Sequence, residues 1–112
     1  MTDELTPLAP GSLTGKRVLV TGSSRGIGAD TVRYFAQAGA DVVINFRNKA
    51  PRAAKLADEV RGLGVRALVI GADLTDEASV AAMFDEIARE YGGLDVLVLN
   101  ASGGMEGGMA ED

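Results

Sequence analysis

Between positions 18 and 28 the chain reads Val-Leu-Val-Thr-Gly-Ser-Ser-Arg-Gly-Ile-Gly, and this segment restricts the fold more than any other. A short apolar run, Val18 to Val20, ends in a turn with glycines at 22, 26 and 28, and a helical pattern opens at once. A strand that turns directly into a helix leaves backbone N–H groups pointing out of the turn, at the positive end of the helix dipole. That arrangement holds a diphosphate. One glycine permits the tight turn, another lets backbone approach the phosphates, and the last lets helix pack on strand. The spacing Gly-x3-Gly-x-Gly differs from the commoner G-x-G-x-x-G, and no Lys-Ser/Thr follows Gly28, which excludes a Walker loop. The segment predicts a dinucleotide site.

The rest of the chain alternates strand and helix. Residues 1–15 hold two prolines and two glycines without periodicity and read as a flexible arm. Strand one is expected over Arg17–Thr21, and a helix over Gly26–Ala38, closed by Gly39, with Ile27, Val32, Phe35 and Ala36 on its inner stripe. A strand over Asp41–Phe46 leads to a helix over Pro51–Gly62, with Ala53, Leu56, Ala57 and Val60 facing inward. Strand three spans Ala67–Ile70. Thr75 is the expected N-cap of helix three, with Asp76 and Glu77 in its first turn and Val80, Phe84, Ile87, Ala88 and Tyr91 as its stripe. Strand four, Leu94–Leu99, is apolar except for Asp95, as when both faces are buried. Such alternation implies a parallel α/β sheet with helices on both faces. In the order 3-2-1-4, helix three would cover strands one and four and leave part of strand four bare.

With 112 residues the chain suits one small domain. Its net charge of −5 argues against a general nucleic-acid binder. Without cysteine or histidine, thiol nucleophiles, a zinc site and a His-based triad are excluded, and no metal site is expected. No 18-residue apolar run and no signal peptide are present, so no membrane association and a cytoplasmic location are the default expectations.

Three separated motifs give the chain a family resemblance. Thr21-Gly-Ser-Ser-Arg-Gly-Ile-Gly28 resembles the TGxxxGIG cofactor motif of the short-chain dehydrogenase/reductase family. Asp73-Leu74 resembles that family's adenine-contacting acidic residue and its neighbour. Leu99-Asn-Ala-Ser102 is similar to its Asn-Asn-Ala-Gly motif, with Leu99 replacing the first asparagine and Ser102 the glycine. The run Gly39 to Arg47 looks most like the acyl-carrier-protein ketoreductase branch. The resemblance covers residues 16–104 and implies a Rossmann-type, doubly wound sheet of which this is the N-terminal part. It implies cofactor contacts from Gly22, Ser24, Arg25, Gly26, Ile27, Gly28, Asp73, Leu74, Asn100, Ala101 and Ser102.

Arg47 follows strand two, where a Rossmann domain selects its cofactor. An acid there bonds both ribose hydroxyls, whereas an arginine accepts a 2′-phosphate. Asn45-Phe-Arg-Asn48 carries no acid, and Arg25 sits in the glycine turn, so NADP(H) is expected over NAD(H). Family catalysis uses a Tyr-x-x-x-Lys pair, but Tyr34 and Tyr91 are followed four residues on by Ala38 and Asp95. By resemblance the catalytic helix would follow residue 112, residues 105–112 form a Gly/acidic tail, and no catalytic residue lies in this chain. The expectation is therefore the NADP(H)-binding portion of a reductase that passes hydride between cofactor and a carbonyl or alcohol substrate, homo-oligomeric when complete. The alternatives are a non-catalytic dinucleotide-binding module and a truncated regulatory subunit.

Overall fold

A computed structural model describes residues 9–100 of the chain. Four strands, β1 (Arg17–Val20), β2 (Asp41–Phe46), β3 (Ala67–Gly71) and β4 (Val96–Val98), alternate with helices α1 (Gly26–Gln37), α2 (Ala50–Arg61) and α3 (Glu77–Tyr91). The strands form one parallel sheet in the order β3-β2-β1-β4, as expected. In-register pairing sets Leu19 beside Val43 and Leu97, and Ile44 beside Val20 and Val69. This is the Rossmann-type arrangement, and its order reverses direction between β1 and β4. Open α/β sheets bind ligands at such a switch point, beyond the carboxyl ends of the strands.

Successive side chains of a strand point to opposite faces, so each strand feeds two cores. Val18, Val20, Val42 and Ile44 pack with Val32 of α1 and Leu56 and Val60 of α2. Leu19, Val43 and Ile70 pack on the other face with Met83, Ile87 and Tyr91 of α3. The inward set of α2 (Ala53, Leu56, Ala57 and Val60) is buried as its periodicity indicated.

Three local expectations are corrected. Ile27 is 77% exposed instead of buried, because it lies on the outward side of the first turn of α1, where Gly28 and Ala29 take the inward positions. The inner face of α3 is rotated: Met83, Ile87 and Tyr91 are buried, while Phe84 and Ala88 are exposed. Its N-cap is Asp76, whose carboxylate accepts the Ala78 N–H, because Thr75 is drawn into a turn by Asp73.

The fourth strand departs most. It is three residues long, and its Leu97 and the following Leu99 are 46% and 75% exposed. The apolar partners of α3 are Leu19, Val43 and Ile70, so the helix lies toward β1, β2 and β3 and leaves this face of β4 open. Ahead of the sheet, the turn at 10–15 is tied to the end of α1 by Leu13 N–H donating to the Ala38 carbonyl at 2.8 Å, closer than a loose arm. Residues 1–8 and the expected tail at 105–112 lie outside the described residues.

Candidate functional site

At the carboxyl ends of the strands, the turn after β1 is held from both sides. Gly22 takes φ 56° and Gly26 φ 63°, the left-handed region that favours glycine. The Gly22 N–H donates to Asn45 Oδ1 at 2.8 Å, and its carbonyl accepts from Asn100 Nδ2 at 2.9 Å. One carboxamide comes from the end of β2 and the other from beyond β4. Ser23 completes the link to β2: its N–H donates to the Asn45 carbonyl at 2.9 Å, and its hydroxyl accepts the Asn45 N–H at 3.1 Å. The Asn100 N–H donates to Thr21 Oγ1 at 2.9 Å, which closes the same turn toward β4.

Gly28 supplies close approach. A Cβ there would stand 2.6 Å from the Gly22 carbonyl oxygen, 2.7 Å from Asn100 Nδ2 and 2.8 Å from Ser23 Cα. Only hydrogen lets the first turn of α1 pack against the loop. That first turn has no acidic residue, and no side chain caps it. Its N–H groups therefore keep their capacity for an anion. Ser24 is 3% exposed, and its hydroxyl is buried without a hydrogen-bond partner among the described residues. A buried hydroxyl without a partner costs stability, and a ligand oxygen would satisfy it.

Beside this loop a cleft of about 140 Å³ opens, with Gly22, Asn45, Arg47, Asp73, Thr75 and Asn100 among its walls. Leu74 also lines it and is 44% exposed. Asp73 Oδ1 accepts both the Thr75 hydroxyl at 2.7 Å and the Thr75 N–H at 2.9 Å. Those two bonds, with the Arg47 guanidinium contributing, hold the Asp73 carboxyl below its ordinary range. Asp73 thus shapes the turn with one oxygen, and no hydrogen bond occupies the other among the described residues. The cleft can seat an uncharged ring or ribose between a carboxylate and a guanidinium.

Of the expected cofactor residues, Gly22, Arg47, Asp73, Leu74 and Asn100 meet at this cleft. Ser24 and Gly28 are buried in the adjoining loop, whereas Arg25, Gly26 and Ile27 are exposed at the mouth of α1 and do not line the cleft. Ala101 and Ser102 lie outside the described residues. Asn45 is the residue that sequence reasoning missed. The available signal was a carboxamide directly after the apolar run Val-Val-Ile of the strand Asp-Val-Val-Ile-Asn-Phe.

Two other groups are placed away from this chemistry. The Tyr91 hydroxyl donates to the Val42 carbonyl at 2.7 Å, and burial pushes its pKa up to about 12. A larger hollow of about 380 Å³ lies near it, at the opposite end of the sheet, between Arg61, Arg66 and Tyr91. Both guanidiniums there are already engaged, Arg61 by Asp58 and Arg66 by Asp41. No helix among the described residues is long and apolar enough to cross a membrane.

The sequence pattern of the family described as short chain dehydrogenase matches residues 16–112. The short chain dehydrogenase claC of Passalora fulva is 39% identical over 92 residues, covering 82% of this chain and 34% of that protein. The hydroxynaphthalene reductase-like protein Arp2 of Metarhizium robertsii is 42% identical over 92 residues, again 82% of this chain and 34% of the relative. Among solved structures, a short chain dehydrogenase from Burkholderia cenocepacia in complex with NADP superposes with a TM-score of 0.78 at 46% identity. The likeness covers 81% of this chain and 37% of that one. The chain thus spans about a third of the length of these relatives.

Proposed function

Because the chain belongs to the short-chain dehydrogenase family, we propose that it is the NADP(H)-binding part of a reductase acting on a carbonyl or alcohol substrate. The observation that carries this reading is the unpartnered Ser24 hydroxyl, buried in a glycine turn beside an uncapped helix start. Donors without protein acceptors at one place suit a diphosphate. Ser24 and the N–H groups around Gly26, Ile27 and Gly28 would hold the phosphates. Gly22 and Asn100 would set the backbone beside the sugar, and Asp73 and Leu74 would flank the base.

The expected preference for the 2′-phosphorylated form rests on Arg47, which lines the cleft where β2 ends. It is supported by the solved relative that carries NADP. When bound, the nicotinamide supplies hydride, and the chain's own part is to bind and orient it. Neither tyrosine of the sequence stands four residues before a lysine, and Tyr91 is committed to Val42 at the far end of the sheet. In this reading the described residues bind and orient the cofactor, and no proton-transfer role is assigned to either tyrosine.

Calorimetric titration with NADPH and NADH tests the reading. A charge-assisted phosphate contact contributes about 1.5–3 kcal/mol, so NADPH should bind roughly tenfold or more tightly, and Arg47→Ala should remove most of that margin. Equal affinities for the two nucleotides, or tighter NADH binding, would overturn it.

A further inference from the structure

Asp73 is held through its N–H, its carbonyl and one carboxylate oxygen, all by the turn after β3 and the start of α3. Its N–H donates to Ser79 Oγ at 2.8 Å, and its carbonyl accepts the Asp76 N–H at 3.0 Å. Its Oδ1 accepts the Thr75 hydroxyl at 2.7 Å and the Thr75 N–H at 2.9 Å. Only Oδ2 takes no hydrogen bond among the described residues, and Asp73 walls the cleft beside Arg47 and Thr75.

A carboxylate on an unrestrained turn rotates and offers either oxygen. Here Thr75 locks one oxygen, which leaves the other as a single acceptor in a fixed place. Ser79 holds the backbone from the other side. It stands in the first turn of α3, a helix that packs on the sheet through Met83, Ile87 and Tyr91, so the turn is tied to a rigid element. Neither hydroxyl serves as the helix cap, because Asp76 does. Thr75 is exposed and Ser79 half-buried, so neither is a core residue. An acceptor fixed before its ligand arrives spares binding the cost of ordering it.

We infer that Thr75 and Ser79 are positioning residues, which hold the Asp73 carboxylate so that its unbonded oxygen meets an amino group on the bound base. This rests on the reading of the cleft as part of a dinucleotide site. A carboxylate oxygen accepts from an exocyclic amine and repels an exocyclic carbonyl, so the arrangement sorts bases by that group.

Titration with NADPH and with its hypoxanthine analogue, in which a carbonyl replaces the amino group of the base, tests this. The native chain should bind the amino form about tenfold more tightly. Thr75→Val removes the hydroxyl, and Ser79→Ala removes the acceptor of the Asp73 N–H. Each should narrow the ratio by about threefold or more, whereas Thr75→Ser and Ser79→Thr should restore it. A role confined to stability would lower the unfolding midpoint and leave the ratio in place. Carbon NMR of the Asp73 carboxyl gives a second readout. With the Thr75 hydroxyl gone and Arg47 still facing it, that carboxyl should titrate at higher pH in Thr75→Val than in the native chain. A native ratio in either Thr75→Val or Ser79→Ala, an unmoved Asp73 titration, or a ratio that survives Asp73→Ala overturns the proposal while NADPH binding stands. A native chain that binds neither nucleotide overturns the reading of the site itself, and the proposal with it.

Discussion

The two ends of the sheet are built from similar residues and put to opposite uses. At the amino end, charged groups saturate one another. Asp95 accepts from the Arg17 N–H at 2.8 Å and from its guanidinium at 2.9 and 3.2 Å. Asp41 takes the Arg66 N–H and Nε, and the Arg66 guanidinium stands 4.4 Å above the Tyr91 ring. At the carboxyl end several donors are left over: the Ser24 hydroxyl has no partner, the first turn of α1 has no cap, and Arg47 forms no salt bridge among the described residues. Volume alone would favour the amino end, since the hollow near Tyr91 is larger than the cleft of the proposed site. Unspent hydrogen-bonding capacity, and not size, is what supports the proposed site.

The difference should show most sharply at Gly28. Gly28→Ala drives a methyl group to within 2.8 Å of the Gly22 carbonyl oxygen, Asn100 Nδ2 and Ser23 Cα, so backbone must move. Overpacking of this kind costs about 1–3 kcal/mol of stability. Displacing a ligand-binding loop by an ångström can cost about a hundredfold in function. We expect a loss of NADPH affinity on the order of a hundredfold by calorimetry, with the fold retained by circular dichroism. An alanine variant that binds as the native chain does would break the assignment of this end to the ligand.

Much of this was legible in the sequence, and unevenly so. The glycine turn is a local device whose spacing dictates its geometry, so Gly22, Gly26 and Gly28 could be read directly. Strand β2 and the inner face of α2 followed from periodicity, because a strand buried on both faces and a regular amphipathic helix each leave a strong pattern. The face of α3 did not, since alanine, methionine and phenylalanine surround it and packing against Leu19, Val43 and Ile70 decides the rotation in favour of Met83. That part of β4 is bare followed from the strand order, but which residue is bare depends on where α3 lies across the sheet, and no local signal specifies Leu97. Asn45 was hidden for the same reason. Its partner Gly22 is 23 residues away, and only the pairing of β1 with β2 brings them together.

A smaller effect is expected at the amino end, on stability and not on binding. Tyr91→Phe removes the 2.7 Å bond to the Val42 carbonyl and keeps the ring beneath Arg66. A buried hydrogen bond of this type contributes about 0.5–1.5 kcal/mol, a loss of a few degrees in the unfolding midpoint. Because burial raises the Tyr91 pKa to about 12, the neutral hydroxyl stabilises the fold below the unfolded value of about 10, and this is lost as pH rises toward 12. Phenylalanine should flatten that alkaline limb of the unfolding curve. Nucleotide affinity at pH 7 should stay within twofold, and a larger change would mean that the two ends are coupled.

The smallest expected effect is at Asp95, and it runs with the opposite sign in pH. Hydrogen bonds from the Arg17 side chain and then its backbone N–H pull the Asp95 carboxyl down to about 2. An unfolded aspartate titrates near 3.9, so on acidification the unfolded chain takes up this proton first. The contribution is complete above the unfolded value and is lost as pH falls through about 2. Asp95→Asn should therefore flatten the acid limb of the stability curve between those values and leave the alkaline limb to Tyr91. The pair is partly open to solvent, with side chains 29% exposed on both partners, so salt should reduce the difference between native and variant. Urea unfolding at several pH values and two ionic strengths measures it. A native and a variant chain with the same acid midpoint would show that the Asp41–Arg66 and Tyr91 contacts alone hold the amino end. A fall in NADPH affinity at pH 7 with the fold intact would erase the distinction between an end that stabilises and an end that binds.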